Sequence, residues 1–292
     1  MPDLYFATCA SIPELTADDQ RLLRAVRDRG VDARPAVWSD DSVPWADARV
    51  CVLRNTWDYY QHFPAFLAWL KSAPVRFRNP LEIVTWNINK QYLRELNEAG
   101  VPIVDTIWVE PDGDFDLAAA LTSHGWDEFI IKPVVGASAF KTLRANRHAT
   151  FAQAEEHLQE TRRHSAVMIQ PFVESVLTEG ELSLICFNGT FSHAVRKVPK
   201  MGDFRVQDEY GGSIEAMTPD AEALAVAQRC MEQIDTMYAR VDLVRAADNT
   251  WRLIELELIE PALYLKWGDG AAERFADIIV AELHEPAAHD RG

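Results

Sequence analysis

The sequence predicts a chain that combines α/β and α+β parts, and three observations indicate this. In the first 80 residues, short apolar runs alternate with amphipathic helical segments, which is typical of a small open, parallel sheet. From residue 166 onward alternating strand patterns dominate, and "NG" at 188–189 is a strong hairpin signal. A length of 292 residues suits two or three subdomains better than one small core.

Strands and helices alternate along the N-terminal third. Strands are predicted for "LYFATCA", "ARPAVW" and "ARVCVLRNT", which occupy 4–10, 33–38 and 48–56. Helices are predicted over 16–30, where Gly30 supplies the stop signal, and over 62–72. The pair Asn79-Pro80 ends this pattern, so residues 1–80 are expected to form one domain on the substrate side.

The remaining sequence is predicted to form two further subdomains, 81–165 and 166–292. Helices are expected over 87–100, about 115–124, 149–164, about 219–236 and 270–283. Strands are expected over 101–109, 127–135, 166–174, 180–189, 190–199, 238–246 and 251–259.

Composition and charge exclude several classes of protein. The 29 basic and 45 acidic residues give a net charge of −16, which argues against a duplex nucleic-acid binder. No stretch approaches the ~18 apolar residues of a membrane span, and no basic segment followed by an apolar one starts the chain. A cytoplasmic protein without a membrane partner is therefore expected. The cysteines lack CxxC spacing and are expected to be reduced and buried; they are Cys9, Cys51, Cys186 and Cys230.

Three carboxylates are predicted to share one face of the C-terminal sheet. Glu255 and Glu257 alternate with apolar residues in "IELELIEP", so both project from the same face, about 7 Å apart along the strand. Asp242 lies in "RVDLV", and a short turn separates the two runs, so antiparallel pairing would bring it beside them. Such a hard oxygen site suits Mg²⁺. The alternative is a solvated face of an edge strand, although Asp and Glu are poor strand residues.

Lysines supply the opposite charge. Lys132 ends the apolar run "FIIKP" and would reach the rim of a sheet. The small residues that follow, Ser138 among them, would let backbone N–H groups approach phosphate oxygens. Lys90 lies on the helix that opens with "NINK". Taken singly, a structural or solvated role is the alternative for each lysine.

The ordered set of these segments resembles the ATP-grasp ligases. The set comprises "NKQYL", "FIIKP", "MIQPFVES", "GELSL", "RVDLV" and "IELELIEP", and the match covers roughly residues 79–283. The resemblance points to the branch that contains bacterial glutathione synthetase and O-ureido-D-serine cyclo-ligase. It implies an ATP-grasp fold, in which an N-terminal open α/β (pre-ATP-grasp) domain precedes two α+β subdomains that clasp ATP.

The resemblance also implies a role for residues at matching positions. It implies contacts to ATP from Lys90, Lys132, Ser138, Gln170, Phe172, Val173, Glu181 and Lys197, with Glu181 on the ribose hydroxyls. Near the acyl-phosphate centre it implies Lys132, Arg196 and Arg205. The metal ligands would be Asp242, Glu255 and Glu257, holding Mg²⁺, with Mn²⁺ as an alternative ion. Glutathione synthetases carry Asn where this chain has Glu257. Glu260 falls on the opposite strand parity and is left out of the ligand set.

The segment "VLRNTWDYY" is the candidate substrate site. It leaves a strand at its C-terminal end, where ligands of open α/β sheets commonly bind. Arg54 could clamp a substrate carboxylate, and Trp57 and Tyr59 could form walls of the pocket. Asp58, in the same segment, is a further candidate for substrate contact. The alternative is an Arg–Asp pair and aromatic packing between subdomains. His193, in "FSHAVRK", could contact substrate or pack within its strand.

The function that fits these residues is an ATP- and Mg²⁺-dependent ligase. It would join a small amino-acid-like carboxylate to an amine through an acyl phosphate and release ADP and phosphate. An intramolecular cyclo-ligase is the alternative within the same chemistry. A hydrolase that uses Glu255 and Glu257 as acid and nucleophile leaves Lys90 and Lys132 unexplained. A nucleotide-binding protein without turnover does not need the three metal ligands. The oligomeric state stays open, a homodimer included.

Overall fold

The computed structural model describes residues 1–136, 140–200 and 211–284, and its strands form three sheets. The N-terminal sheet is parallel, as predicted, with the order β2-β1-β3-β4. Its strands are β1 (Leu4–Thr8), β2 (Ala33–Val37), β3 (Val50–Asn55) and β4 (Arg76–Arg78), and β4 was missed by the sequence pattern. Helices α1 (Asp19–Arg27) and α2 (Phe63–Ser72) connect them. β1 and β3 are buried along their whole length, and their residues are apolar except at the C-terminal ends, where Thr8, Arg54 and Asn55 lie.

The link from the N-terminal sheet to the central sheet differs from the prediction. The helix expected over 87–100 is two helices, α3 (Leu81–Ile88) and α4 (Tyr92–Glu98). The break falls at Asn89, whose backbone is extended and whose side chain accepts a hydrogen bond from the Gln91 amide at 3.0 Å. Lys90 then donates its backbone N–H to the Val134 carbonyl at 2.8 Å. This break places Lys90 against the central sheet.

The central sheet is antiparallel, with the order β5-β8-β6-β7. Its strands are β5 (Ile107–Val109), β6 (Glu128–Pro133), β7 (Leu143–Asn146) and β8 (Val167–Pro171), flanked by α5 (Leu117–His124) and α6 (Phe151–Arg162). The strand predicted over 101–109 forms only at its end. Upstream, the backbone instead bonds to the C-terminal sheet, where Val104 donates to the Leu253 carbonyl at 3.0 Å.

The C-terminal sheet is also antiparallel, with the order β11-β10-β9-β12-β13. Its strands are β9 (Glu181–Phe187), β10 (Thr190–Val198), β11 (Ser213–Ala216), β12 (Tyr238–Arg245) and β13 (Trp251–Glu257). The predicted hairpin is confirmed, since Asn188 and Gly189 take φ values of 48° and 74° between β9 and β10. Helix α7 (Ser175–Thr178) precedes this sheet and α8 (Ala221–Met231) packs on it.

The last described helix joins the two ends of the chain. Helix α9 (Ala271–His284) packs against α1, and Phe275 and Ile279 share a buried core with Leu4 and Leu22. Phe275 also stacks on Phe187 of β9, with ring centroids 4.6 Å apart. The N-terminal and C-terminal sheets therefore have one continuous apolar contact.

The cysteines and the helices agree with what the composition predicts. Cys9, Cys51, Cys186 and Cys230 are all free and buried, as predicted. Among the described helices, none has both the length and the apolar character needed to cross a membrane.

Candidate active site

A cavity of about 490 Å³ lies where the three sheets meet. The N-terminal sheet contributes Trp57 and Tyr59 from the segment after β3, and the central sheet contributes Lys132 of β6. The C-terminal sheet contributes Glu181 of β9 and Glu255 of β13. A concave site with a few convergent charged groups is the usual form of a small-molecule site.

The predicted carboxylate cluster forms at the base of this cavity. Asp242 pairs in register with Glu255, because β12 and β13 are antiparallel neighbours. One oxygen from each of Asp242, Glu255 and Glu257 lies within 4.8 Å of the others. Asp242 is buried, and Ser183 donates a hydrogen bond to it. Three convergent carboxylate oxygens are a donor set that fits Mg²⁺.

Arg240 was missed by the sequence analysis and lies among these carboxylates. Its Nε and Nη2 donate to the two Asp242 carboxylate oxygens at 3.0 Å, and it also pairs with Glu257. Although burial opposes ionisation, Arg240 and Lys197 hold the pKa of Asp242 below its ordinary value. Burial raises the pKa of Glu257 to about 8 despite Arg240. Strand alternation could have found Arg240, which lies two residues before Asp242 on the same face.

Two lysines reach the cavity from the central side. Lys90 Nζ donates to the Gly136 carbonyl at 2.6 Å and lies 3.0 Å from a Glu255 carboxylate oxygen. Lys132 lines the cavity, and burial lowers its pKa to about 8. Burial tends to raise the pKa of Glu255, but the charges of Lys90 and Lys132 outweigh it and hold this pKa below its ordinary value. The two ammonium groups thus face the carboxylate cluster.

Lys197 and Glu181 form a buried pair across β9 and β10. Their register brings them opposite each other, and Lys197 Nζ also lies 3.5 Å from Asp242. Despite burial, Asp242 and Glu181 raise the pKa of Lys197. Gly180, just before Glu181, has φ +81°, and a Cβ there would collide with the Lys197 carbonyl. Glycine therefore permits the backbone approach that holds this pair.

The predicted nucleotide segment lines the other end of the cavity. Gln170, Phe172 and Val173 all border it. Gln170 Nε2 donates to Thr106 Oγ1 at 2.9 Å, and the Arg144 guanidinium lies 3.6 Å from the Phe172 ring centroid. The assignment of this segment to the adenine base stays a prediction.

Arg54 requires a correction. Its side chain is fully buried, with Nε donating to Asp19 at 2.7 Å and Nη2 donating to the Pro261 carbonyl at 2.7 Å. The Arg54 guanidinium also lies 5.4 Å from the Tyr238 ring centroid. The guanidinium is thus surrounded by the protein and cannot clamp a substrate carboxylate. The alternative of an Arg–Asp pair between structural units is the one the geometry supports.

Three further predicted residues lie outside the cavity lining. His193 packs in β10, where Nε2 contacts the Leu263 carbonyl at 2.9 Å, so it is not placed to touch substrate. Arg196 points to the opposite face of β10 and pairs with Glu215, away from the reacting centre. Asp58 accepts a hydrogen bond from Trp38 Nε1 at 2.7 Å. Ser138 and Arg205 lie outside the described residues.

The segment that follows β13, residues 258–264, is held by its backbone carbonyls, and we call it the carbonyl platform. Each of these seven carbonyls accepts a hydrogen bond from a side chain. The donors to the carbonyls of residues 258, 259, 260, 261 and 262 are, respectively, Asn79, Tyr238, Trp57, Arg54 and Arg240. His193 contacts the carbonyls of both 263 and 264. Several donors come from the N-terminal unit, so the platform ties that unit to the end of β13.

The carbonyl platform carries Glu260, which the parity argument left out of the metal-ligand set and which the cluster of Asp242, Glu255 and Glu257 does not include. That argument holds only while the strand continues, and β13 ends at Glu257. Glu260 lines the cavity and is buried, and burial raises the pKa of its carboxyl to about 7. Besides Glu181 and the three clustered carboxylates, the cavity therefore contains a fifth carboxylate on the C-terminal side of β13.

Comparison with known proteins identifies the family. Residues 4–79 match the family described as D-cycloserine synthetase DcsG, N-terminal domain, and residues 116–245 match prokaryotic glutathione synthetase, ATP-grasp domain. The cycloserine biosynthesis protein DcsG of Streptomyces lavendulae is 32% identical over 280 residues, covering 90% of this chain and 92% of that protein. This chain belongs to the ATP-grasp ligases.

The structures of other ATP-grasp ligases agree with this family. The crystal structure of D-cycloserine synthetase DcsG is similar with a TM-score of 0.85 at 31% identity, covering 96% of this chain and 99% of that one. D-alanine–D-alanine ligase from Bacillus anthracis has a TM-score of 0.68 at 15% identity, with 97% of each chain covered, which shows the shared fold. The predicted ATP-grasp fold is confirmed, and the protein is an ATP-dependent ligase.

Proposed function

We propose that this ATP-grasp ligase activates a small amino-acid-like carboxylate as an acyl phosphate and joins it to a nitrogen nucleophile, releasing ADP and phosphate. The observation that carries the proposal is the meeting of Lys90 and Lys132 with the Asp242, Glu255 and Glu257 cluster in one cavity. Phosphoryl transfer to a carboxylate needs charge neutralisation and alignment more than it needs a protein nucleophile.

Each part of the cavity has a role in the proposed reaction. Lys90 and Lys132 would hold the ATP phosphates, and Glu181, kept in place by Lys197, would bind the ribose hydroxyls. Asp242, Glu255 and Glu257 would hold Mg²⁺, which neutralises phosphate charge and orients the transferred group. Gln170, Phe172 and Val173 would surround the adenine.

The proposed steps balance without a covalent enzyme intermediate. A carboxylate oxygen of the substrate attacks the γ-phosphorus as the bond to the ADP oxygen breaks. The nitrogen then attacks the acyl carbon, phosphate leaves with that carboxylate oxygen, and the nitrogen loses a proton. Lys132, which has no ion-pair partner among the described residues, is the cation available to the transferring phosphoryl group.

Ring closure within one substrate is the second candidate. It is favoured by the match of residues 4–79 to the N-terminal domain of D-cycloserine synthetase, since that unit borders the substrate end of the cavity through Trp57 and Tyr59. We also propose the division into 1–80, 81–165 and 166–292 as the three units that close on the substrates.

The experiment measures products from Mg·ATP with O-ureido-D-serine, and separately with pools of amino acids and amines. ADP and phosphate are expected, and a carboxylate labelled with ¹⁸O should transfer one labelled oxygen to the phosphate. AMP with pyrophosphate, or unlabelled phosphate, would contradict the acyl-phosphate route. Turnover of O-ureido-D-serine alone indicates ring closure, whereas turnover that needs an added amine indicates joining of two molecules.

A further inference from the structure

The charged residues that line the cavity fall into pairs, with two exceptions. Lys90 pairs with Glu255, Lys197 with Glu181, and Arg240 with both Asp242 and Glu257. Within the described ranges, Lys132 and Glu260 line the cavity without an ion pair. In the proposed function the phosphates of ATP would neutralise the charge of Lys132. The proposed function assigns no group that would neutralise the charge of Glu260.

The Glu260 carboxylate is held in the cavity by contacts to its backbone. Glu260 is only 7% exposed, and its own carbonyl accepts from Trp57 Nε1 at 3.0 Å. The carbonyl of the next residue, Pro261, accepts from Arg54. Arg54 and Trp57 therefore position this carboxylate and do not neutralise it by direct contact.

The nearby guanidinium groups are committed elsewhere. Arg54 donates to Asp19, to Pro261 and, at 3.4 Å, to the Leu53 carbonyl. Arg240 donates to Asp242 and Glu257, and to the Ala262 carbonyl at 3.3 Å. The Glu260 carboxylate thus accepts a hydrogen bond from its own backbone N–H and lies in the field of Arg240 and Arg54, but it forms no ion pair within the described residues. A cation from outside the chain would offset the cost of keeping this buried carboxylate charged.

The surroundings of Glu260 indicate which cation fits. Trp57, Tyr59 and Tyr264 line the same cavity, and aromatic faces attract ammonium groups. The three carboxylates that converge within 4.8 Å of one another do not include Glu260, so it lies outside the oxygen cluster suited to a metal. A carboxylate with aromatic neighbours favours an organic ammonium group.

We propose that Glu260 binds the ammonium group of a zwitterionic amino acid, the carboxylate of which is the group that becomes phosphorylated. The inference rests on the proposed function, and it assigns the residue that recognises the ammonium group of such a substrate. Trp57 and Arg54 act as positioning residues through the carbonyl platform.

Binding without turnover tests this assignment. The purified protein with Mg²⁺ and the β,γ-imido analogue of ATP is screened by thermal shift against L- and D-amino acids and O-ureido-D-serine. At least one amino acid should raise the melting temperature. Its analogue with hydrogen in place of the amino group should bind about 10- to 100-fold more weakly by calorimetry, the usual range for a charge-assisted hydrogen bond. Equal affinities, or no stabilising amino acid, would overturn the proposal.

The Glu260→Gln variant adds an independent arm. Amino-acid affinity should fall by the same factor, affinity for the desamino analogue should not change, and nucleotide affinity should be retained. Equal losses for both compounds would overturn the assignment. Glu282→Gln is the matched control, because it removes a buried carboxylate that pairs with Arg76 and Arg78 and does not line the cavity, so amino-acid affinity should stay intact.

A variant that does not fold and a failure of the proposed reaction can each be distinguished from a failure of the ammonium site. If Glu260→Gln does not fold, Trp57→Phe, which deletes the donor to the Glu260 carbonyl, should weaken amino-acid binding and spare nucleotide binding; unchanged amino-acid affinity would count against the assignment. If the amino acid binds but ADP and labelled phosphate never form, the proposed reaction fails while the ammonium site stands.

Discussion

Replacing Arg54 with methionine should destabilise the fold through a buried charge left without its partner. The Arg54 side chain is fully buried and its Nε donates to Asp19 at 2.7 Å, with Asp19 itself 3% exposed. Asp19 would keep only the hydrogen bonds from Asn55 Nδ2 at 2.8 Å and Thr16 Oγ1 at 3.0 Å. Methionine fills a similar volume, so the main loss is electrostatic.

The magnitude follows from the pair being buried on both sides. Removing one partner of such a pair costs about 3–5 kcal/mol, because the other charge stays desolvated. For a chain of 292 residues that corresponds to a fall in melting temperature of roughly 5–8 °C. The Arg54→Met/Asp19→Asn double variant should recover part of this loss, with a coupling free energy of about 0.5–3 kcal/mol.

The assay is thermal unfolding followed by circular dichroism, together with substrate kinetics on the same preparations. Arg34→Met is the control, because Arg34 pairs with Asp32 at the surface, where both side chains are about half exposed, and solvent-exposed pairs contribute little to stability. A normal melting temperature for Arg54→Met, combined with a hundredfold higher KM for the carboxylate substrate, would refute the structural role and restore the substrate clamp.

Three further changes test the catalytic end of the cavity. Glu257→Gln removes one of three ligand charges, so the Mg²⁺ concentration for half-maximal turnover should rise by at least about tenfold; an unchanged Mg²⁺ dependence would contradict the metal assignment. Lys132→Met deletes an ammonium group that has no ion-pair partner in the described ranges, and kcat/KM for ATP should fall about 10- to 100-fold, whereas a near-normal rate would exclude phosphate contact. Gly180→Ala should lower the melting temperature more than Gly189→Ala does, because only at Gly180 would the added methyl meet the Lys197 carbonyl; equal shifts, both near the ~1 kcal/mol cost of a positive φ, would contradict that close approach.

The sequence predicted the features that follow from local periodicity. Alternation placed Glu255 and Glu257 on one face, and the short turn before β13 correctly predicted that Asp242 lies opposite Glu255. The hairpin at Asn188-Gly189 followed from turn chemistry alone. These inferences needed no knowledge of how the three sheets meet.

The residues that were misassigned depend on contacts between distant segments. Arg54 looked available because it ends a strand, yet its partners are Asp19 and Pro261, the second of them 207 positions away. His193 likewise bonds to carbonyls about 70 positions further along the chain. A local sequence pattern does not predict which side chain will be buried by a segment that is distant in the sequence.

The carbonyl platform has a consequence for chimeric ligases. A graft that replaces residues 4–79 with the equivalent unit of a relative would exchange the cavity wall that contains Trp57 and Tyr59, but it would also remove three donors, Asn79, Trp57 and Arg54. The recipient backbone at 258, 260 and 261 would then have buried carbonyls without donors unless the incoming unit brings equivalents. An exchange of specificity between members of this family therefore requires that the grafted unit also carries hydrogen-bond donors for these three carbonyls. Units for grafting should be chosen first for side chains equivalent to Asn79, Trp57 and Arg54.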